Sequence, residues 1–264
     1  MTAVFRLAYT AAKRYEKCPL LQLSHKLKTS DQPTNSKPFF VGRVVHRAAE
    51  TFMYRRGYGC SLVDFIPHAW ELEEAAVDPA TLIWVGEERQ AEYTRALDVG
   101  ARLDAMLRDT NVLEQDQLWL EPKFFTWLAF KGSGMFANPD ILAVVGDVGF
   151  VGEIKSGKTY DPDQPAWYAA VIERMPEFEH VRTWVALPIL PAVKDKATPV
   201  EVDTSKREAQ RYRAEQITAA MHRGEWEARP GSYCAICEAR STCPSYAATF
   251  GHLTKGRVGL GPTS

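Results

Sequence analysis

The 264-residue sequence lacks several features that would place a protein in a familiar class at once. It contains no apolar run of the ~18 residues needed to cross a membrane. Its start, MTAVFRLAYTAAKRYEKCP, has neither the apolar block nor the small-residue cleavage site of a signal peptide. These absences predict a cytoplasmic protein without a membrane association.

An excess of basic residues is also missing, because 32 lysines and arginines stand against 33 aspartates and glutamates. The sequence therefore lacks the strongly basic character by which many nucleic-acid-binding proteins are recognised. Nucleic acid is not excluded, since a divalent cation held by carboxylates would itself be the largest local charge at a site.

Cysteines are few and odd in number, five in all, which argues against a disulfide framework. Three lie together as Cys234, Cys237 and Cys243, and a four-coordinate site needs a fourth ligand. Cys18, in an N-terminal helical segment before Pro19, is a better candidate than Cys60, in a glycine-rich stretch. Four thiolates suit structural zinc or an iron–sulfur cluster, and the residues alone leave both open.

Hydrophobic periodicity predicts an α/β fold. Helices are expected over GRVVHRAAETFMYRR, residues 87–109, DQPAWYAAVIERM and residues 204–223, and a polar loop over residues 28–38. Strands are expected over residues 117–130, NPDILAVV, GFVGEIK and HVRTWVALPIL. Hairpin strands followed by a crossover helix and another strand predict a mixed sheet flanked by helices.

Two acidic residues fall in the predicted hairpin that turns at residues 146–149. If Val145 faces Phe150, then Asp140 faces Lys155, and alternation places Asp140, Glu153 and Lys155 on one face. Asp140 and Glu153 would then be diagonal neighbours, with Cβ atoms roughly 7 Å apart.

Two carboxylates at this separation repel each other unless a cation lies between them, and oxygen ligands of this kind suit Mg²⁺ or Mn²⁺. An ion there would act as a Lewis acid on a phosphate, while Lys155 would orient the attacking water. This arrangement indicates phosphodiester hydrolysis. The alternative is a charge cluster at a sheet edge in which Lys155 neutralises the two acids.

The same residues resemble the motif of the PD-(D/E)xK nuclease superfamily, here Pro139-Asp140 and, after twelve residues, Glu153-Ile154-Lys155. The RecB-like branch of that superfamily carries a histidine on a helix ahead of the sheet, and His46 after Gly42 is similar. Its Q-x-x-x-Y signature resembles the segment from Gln164 to Tyr168. An acidic residue in the preceding strand is common there, and Glu121 is the candidate.

The resemblance implies a restriction-endonuclease-like mixed β-sheet and a role for each of these residues. One or two divalent ions, Mn²⁺ or Mg²⁺, would be held by His46, Asp140, Glu153 and the carbonyl of Ile154. Lys155 would serve the attacking water. Gln164 and Tyr168 would contact the nucleic acid or support the site.

The cysteine order resembles that of AddB-type nucleases and of the CRISPR-associated Cas-four exonuclease family. Both place one cysteine before the nuclease motifs and three after them. The resemblance implies a 4Fe-4S cluster on Cys18, Cys234, Cys237 and Cys243, with Zn²⁺ as the alternative. Its role would be to join the two ends of the chain.

A single RecB-like nuclease domain over residues 1–264 is therefore expected. Its parts are an N-terminal segment (1–40), a helical part (41–115), the catalytic core (116–200), the C-terminal helix with the cysteines (201–246) and a tail (247–264). Aromatic and basic residues expected near a bound strand are Trp167, Tyr168, Arg174, Lys158, Tyr160, Lys206, Arg207, Arg211 and Arg213.

The resemblance favours an exonuclease acting on single-stranded DNA ends, in recombinational repair, CRISPR adaptation or phage DNA processing. Homo-oligomers and recombination or CRISPR-adaptation partners are compatible with it. Two alternatives stay open. One is a non-catalytic module for DNA ends or recombination, and the other is a structural zinc protein with a fortuitous acidic hairpin.

Overall fold

The computed structural model describes residues 5–27, 37–77, 82–115, 117–128, 132–155, 160–191, 199–237, 239–240 and 243–246. The predicted loop over 28–38 lies mostly outside these ranges, as does the tail after residue 246. No helix within the described ranges is long and apolar enough to cross a membrane.

Seven α-helices occur in the described part of the chain. They are α1 (Tyr9–Lys17), α2 (Pro19–Leu27), α3 (Lys37–Tyr54), α4 (Ile66–Ala76), α5 (Glu88–Asp109), α6 (Asp163–Ile172) and α7 (Thr204–His222). The helices predicted around His46, over 87–109, after the hairpin and before the cysteines correspond to α3, α5, α6 and α7 and are confirmed.

In the described ranges, eight strands form two sheets. The strands are β1 (Phe5–Ala8), β2 (Gln117–Leu120), β3 (Phe124–Trp127), β4 (Ser133–Ala137), β5 (Ile141–Val145), β6 (Val148–Ile154), β7 (Thr183–Ile189) and β8 (Val200–Glu201). The larger sheet has the order β2-β5-β6-β7-β8, and the smaller one the order β1-β4-β3.

The larger sheet is mixed, as the sequence predicts. Strands β5 and β6 are antiparallel, whereas β6 and β7 are parallel because α6 connects them as a crossover. The smaller sheet, in which β1 runs parallel to β4 and β3 antiparallel to it, was not predicted. Its central strand is short and flanked by glycine, which hides the strand pattern.

The prediction of one strand over 117–130 is wrong. The segment divides at Glu121 and Pro122, so that β2 pairs with β5 in the larger sheet and β3 pairs with β4 in the smaller. Glu121 has a φ of 43°, in the left-handed region, and Pro122 has no N–H to donate to a ladder. This break turns the chain from one sheet to the other beside the end of β5.

The hairpin is confirmed, but its predicted register is wrong by two residues. Val145 pairs with Val148 and Leu142 with Val151, so the turn contains only Gly146 and Asp147. Gly146 has a φ of 61°, which a two-residue hairpin turn requires and glycine adopts without strain. Because a shift of two preserves side-chain alternation, the predicted face of each residue is unchanged.

The two faces of the larger sheet bury separate apolar clusters. Leu142, Val144 and Val151 pack with α6 and α7, whereas Ile141 and Ala143 pack with α3 and α5. Helix α3 joins its cluster through the predicted apolar positions Val44, Val45, Ala48, Ala49, Phe52 and Met53, all of them buried. A helix therefore covers each face of the hairpin, and His46 of α3 and Gln164 of α6 both reach the end where β5 begins and β6 finishes.

Candidate active site

The end of the hairpin brings Asp140 and Glu153 together. Continuing the observed register by one pair places Asp140 opposite Glu153, closer than the diagonal arrangement expected from sequence. The Asp140 carboxylate accepts a hydrogen bond from the Ile154 backbone N–H at 2.6 Å. Asp140 is 8% exposed and Glu153 is 6% exposed, so both acids are buried at the rim of the sheet.

His46 reaches the same point from α3, on the other face of the sheet. Its Nε2 lies 3.0 Å from the Ile154 carbonyl oxygen and 3.7 Å from Oδ2 of Asp140. The apolar side of α3 is buried, which fixes the helix and leaves His46 directed along the strand ends. Three of the four predicted metal ligands therefore meet, namely His46, Asp140 and the Ile154 carbonyl.

Glu121 adds a second carboxylate to this group. Its backbone N–H donates to the Asp140 carbonyl at 3.0 Å, at the break between β2 and β3. Ligand atoms of His46, Glu121 and Asp140 lie within 4.8 Å of one another, and no other such triad occurs among the described residues. One imidazole nitrogen and two carboxylate oxygens suit a divalent cation such as Mn²⁺ or Mg²⁺.

Glu153 lies beside the triad, and its two oxygens differ. Oε1 accepts hydrogen bonds from Gln164 Nε2 at 2.7 Å and from the Lys155 ammonium. Oε2 is buried and has no hydrogen-bond partner within the described part of the chain. A buried carboxylate oxygen without a donor is costly, and a bound cation would satisfy it.

The electrostatics of the carboxylates also favour a cation. Burial raises the pKa of Asp140 to about 7, and the negative charge of Glu153 adds to the shift. His46, the Ile154 N–H and Lys155 act in the opposite direction but do not cancel it. The charge of Glu153 thus opposes ionisation of the buried Asp140, and a bound cation would relieve this repulsion.

Gln164 and Tyr168 contact the site from α6, on the face of the sheet opposite α3. Both are buried on α6, and Gln164 Nε2 contacts the Tyr168 hydroxyl at 2.6 Å as well as Glu153. Burial, followed by the charge of Glu153, raises the pKa of Tyr168. Both side chains are buried around Glu153, which is the position of a supporting role, while contact with nucleic acid stays a prediction.

An open groove leads to the site, with a cavity volume of about 580 Å³. Its walls carry Arg43 and Arg47, whose Nε atoms donate to Glu73 at 2.8 and 2.7 Å. Burial alone would raise the pKa of Glu73, but the two arginines outweigh it and lower that pKa overall. Sequence reasoning missed this trio. The available signal was Arg43, His46 and Arg47 at helical spacing on one face of α3.

Several residues expected near a bound strand are occupied elsewhere. Trp167 is fully buried and donates its indole N–H to the Phe136 carbonyl at 3.0 Å. Arg207 and Arg211 both bond Glu173, and Arg213 bonds Glu16. These arginines tie α7 to its neighbours and are not free to bind a phosphate backbone. Lys158 lies outside the described residues.

Cys18, Cys234, Cys237 and Cys243 line one small cavity, whereas Cys60 lies elsewhere, beside α5. Backbone N–H groups donate to three of these sulfurs, from Arg229 to Cys18, from Gly231 to Cys234 and from Tyr246 to Cys243. Within the described part of the chain, however, no three thiols lie within 4.8 Å of one another. The cavity lies between the segment after α1 and the segment after α7. The Tyr233 hydroxyl also links these segments by donating a hydrogen bond to the Lys17 carbonyl at 2.6 Å.

A mixed sheet with carboxylates, an imidazole and a lysine gathered at its strand ends is the arrangement of a metal-dependent phosphodiesterase. A sequence profile of the PD-(D/E)XK nuclease superfamily matches residues 6–244. The match covers most of the chain, and the protein belongs to this superfamily of nucleases. Enzymes of the superfamily use Mg²⁺ or Mn²⁺.

Solved structures agree at the level of fold. The crystal structure of a candidate exonuclease from Eubacterium rectale matches with a TM-score of 0.55 and 11% identity, over 98% of this chain and 91% of that one. The structure of the protein SSO0001 matches over 86% of this chain and 95% of that one, with 13% identity and a TM-score of only 0.34. No curated protein sequence matches significantly.

Proposed function

We propose that the protein is a divalent-metal-dependent deoxyribonuclease that hydrolyses single-stranded DNA from its ends. The observation that carries the proposal is the triad of His46, Glu121 and Asp140, with Glu153 and Lys155 beside it at the mouth of an open groove. Among the described residues the buried Oε2 of Glu153 has no donor, and a bound cation would satisfy it.

Separate residues of the site would hold the ion and orient the attacking water. His46, Asp140, Glu153 and the Ile154 carbonyl, joined by Glu121, would hold the ion. When bound, the ion acts as a Lewis acid on the phosphodiester and on the water that attacks it. The Lys155 ammonium, half-exposed beside Glu153, would orient that water and stabilise its developing charge. The water oxygen would bond to phosphorus and release a proton to solvent, the bond to the leaving sugar oxygen would break, and that oxygen would take up a proton.

Two sets of residues would position this chemistry. Gln164 fixes the rotamer of Glu153 from below, and Tyr168 packs against Gln164. In the groove, Glu73 holds the guanidinium groups of Arg43 and Arg47 beside the triad. Because each arginine side chain remains 40–46% exposed, each can still offer donors to a backbone phosphate.

For the four cysteines we propose a 4Fe-4S cluster that joins α1 to the segment after α7. The four cysteines line one cavity between α1 and the segment after α7, the position that a cluster joining these segments requires. The backbone N–H groups directed at the sulfurs are of the kind that surround thiolate-bound clusters. The role of the cluster would be structural.

A digestion assay tests the nuclease proposal. End-labelled single-stranded, double-stranded and circular DNA are incubated with Mn²⁺, Mg²⁺ or EDTA. We expect metal-dependent shortening of linear single strands, and a loss of at least ~100-fold in rate for Asp140→Asn and Lys155→Ala. Asp98→Asn, an exposed acid-to-amide change on α5, is the matched control. Digestion by Lys155→Ala at the parental rate would refute the assigned role of Lys155.

The cluster has an independent test. Protein purified without oxygen should be brown, absorb near ~400 nm and contain iron and acid-labile sulfide. Colourless protein containing one equivalent of zinc would replace the cluster with the zinc alternative and leave the nuclease proposal intact.

A further inference from the structure

A second cavity lies at the far end of the smaller sheet, away from the candidate active site. Its volume is about 570 Å³, which is within the range of small-ligand sites. It is bordered by the edge strand β1, by α1 and α2, and by the end of α7. None of its lining residues belongs to the metal triad or to the cysteine cavity.

Three cations face this cavity. Arg6, Arg14 and Lys26 line it; among the described residues no carboxylate lines it, and none of the three cations forms an ion pair. The Lys26 ammonium lies 3.7 Å from the centroid of the Phe5 ring, and burial lowers the pKa of Lys26. Arginines elsewhere on the same side are paired, as Arg213 is with Glu16. Unpaired cations around one cavity predict an anionic ligand.

Aromatic rings stand among the cations. Phe5 and Trp226 contact each other with centroids 6.2 Å apart, while Trp127 on the edge strand β3 is 59% exposed. Phe125 holds Trp127 in an edge-to-face contact at 4.9 Å, which leaves a face of the indole open. An exposed tryptophan beside unpaired cations is the combination that binds bases and phosphates of a single strand.

We infer that this cavity, defined by Arg6, Arg14, Lys26, Phe5, Trp127 and Trp226, is a distal binding site for the single-stranded DNA substrate. The phosphates would bind the cations and a base would stack on Trp127. The inference rests on the proposed function, since the ligand is the strand whose end the active site would cut. A duplex would bind less well, because its bases are stacked inside the helix.

The position of the site sets a length requirement. Phe5 pairs with Ser133, at the start of β4, and Asp140 follows Ser133 by seven residues of largely extended chain. At ~3.3 Å per residue the two sites are separated by roughly 20 Å. A stacked strand rises ~3.4 Å per nucleotide along its axis, so about six stacked nucleotides reach from one site to the other. Longer substrates should therefore bind more tightly than shorter ones.

Binding is tested first, without cleavage. The Kd of a labelled 20-nucleotide oligothymidylate is measured by fluorescence anisotropy in EDTA for the parent, Arg6→Glu, Trp127→Ala and Trp127→Phe. We expect Arg6→Glu and Trp127→Ala to raise Kd at least ~5-fold, and Trp127→Phe to stay within about twofold of the parent. Both residues are exposed, so folding should be preserved. Arg95→Glu, the same charge change on the exposed face of α5, is the control.

Turnover is tested second. The ratio of kcat/KM for a 20-nucleotide substrate to that for a 4-nucleotide substrate should fall at least ~5-fold in Arg6→Glu and stay constant in Arg95→Glu. An unchanged Kd and an unchanged ratio in both cavity variants would overturn the inference. Displacement of the oligonucleotide by equimolar thymidine monophosphate would overturn it too, by identifying a mononucleotide site. Protein that cuts neither substrate would refute the proposed function, while the anisotropy result would still decide the binding site.

Discussion

Gln164 Nε2 donates a hydrogen bond of 2.7 Å to Oε1 of Glu153 from the buried first turns of α6. The bond fixes one carboxylate oxygen and leaves the other, Oε2, directed away with no donor from the described residues. A buried amide therefore selects which oxygen of Glu153 is available to a cation. Through this hydrogen bond, α6 sets the orientation of the Glu153 carboxylate at the candidate metal site.

Removing the Gln164 amide should weaken metal binding, and loss of activity should follow from that. In Gln164→Ala, Glu153 loses the donor that orients it, and the Kd for Mn²⁺, measured by calorimetry, should rise about 10–100-fold. Activity should recover partly at high Mn²⁺, because the ligands themselves remain. Gln216→Ala, the same change on the exposed face of α7, is the control. A normal Mn²⁺ affinity with reduced activity would instead assign Gln164 to substrate contact.

Glu121 provides a second test of the metal site. Glu121→Gln keeps the size of the side chain but removes its charge from the triad, so we expect Mn²⁺ affinity to fall by about tenfold. Glu50→Gln changes the charge of the same groove by the same amount without touching the triad. Equal losses in the two variants would show that only the general potential of the groove matters, and that Glu121 is not a ligand.

Much of the site could be predicted from the sequence because it depends on local periodicity. Strand alternation places Asp140 and Glu153 on one face for a turn of either two or four residues, and the apolar spacing of α3 directs His46 towards the strand ends. The register depended on whether the turn held two residues or four, and alternation does not distinguish these. The structure has the shorter turn, which moves Asp140 directly opposite Glu153.

The rest could not be predicted because it depends on contacts distant in sequence. β1 becomes a strand only by pairing with β4, more than a hundred residues later, and neither has a clear strand pattern alone. The turn at Glu121 requires a left-handed backbone that nothing in the residue type indicates. The distal cavity combines side chains from residues 5–26, from Trp127 on β3 and from the end of α7, so no local motif could reveal it.

The cysteines offer a matched pair of variants. Cys237→Ser changes a thiol in the cavity, where burial raises the pKa of Cys237, whereas Cys60→Ser changes one outside it. We expect Cys237→Ser to lose iron and to unfold at lower temperature, because metal binding at a site between distant segments contributes to folding. Cys60→Ser should keep its iron. Iron retained in full by soluble Cys237→Ser would show that the ligand set is wrong.

Acid stability should depend on Glu73, which is buried against the guanidinium groups of Arg43 and Arg47. Those arginines lower its pKa in the folded protein, so Glu73 stabilises the fold above its unfolded pKa of ~4.3 and loses this contribution as the pH falls through the folded value. At pH 7, Glu73→Gln should lower the free energy of unfolding by about 2 kcal/mol, the scale of a hydrogen bond to a charged group.

The direction of the pH effect separates this ion pair from a simple packing role for Glu73. As the pH falls from 7 to 3, urea denaturation should show the parent and Glu73→Gln converging, since the parental carboxylate becomes protonated and resembles the amide. Glu71→Gln, on the exposed face of the same helix, should follow the parent at every pH. A constant difference between the parent and Glu73→Gln down to pH 3 would mean that its charge does not stabilise the arginines.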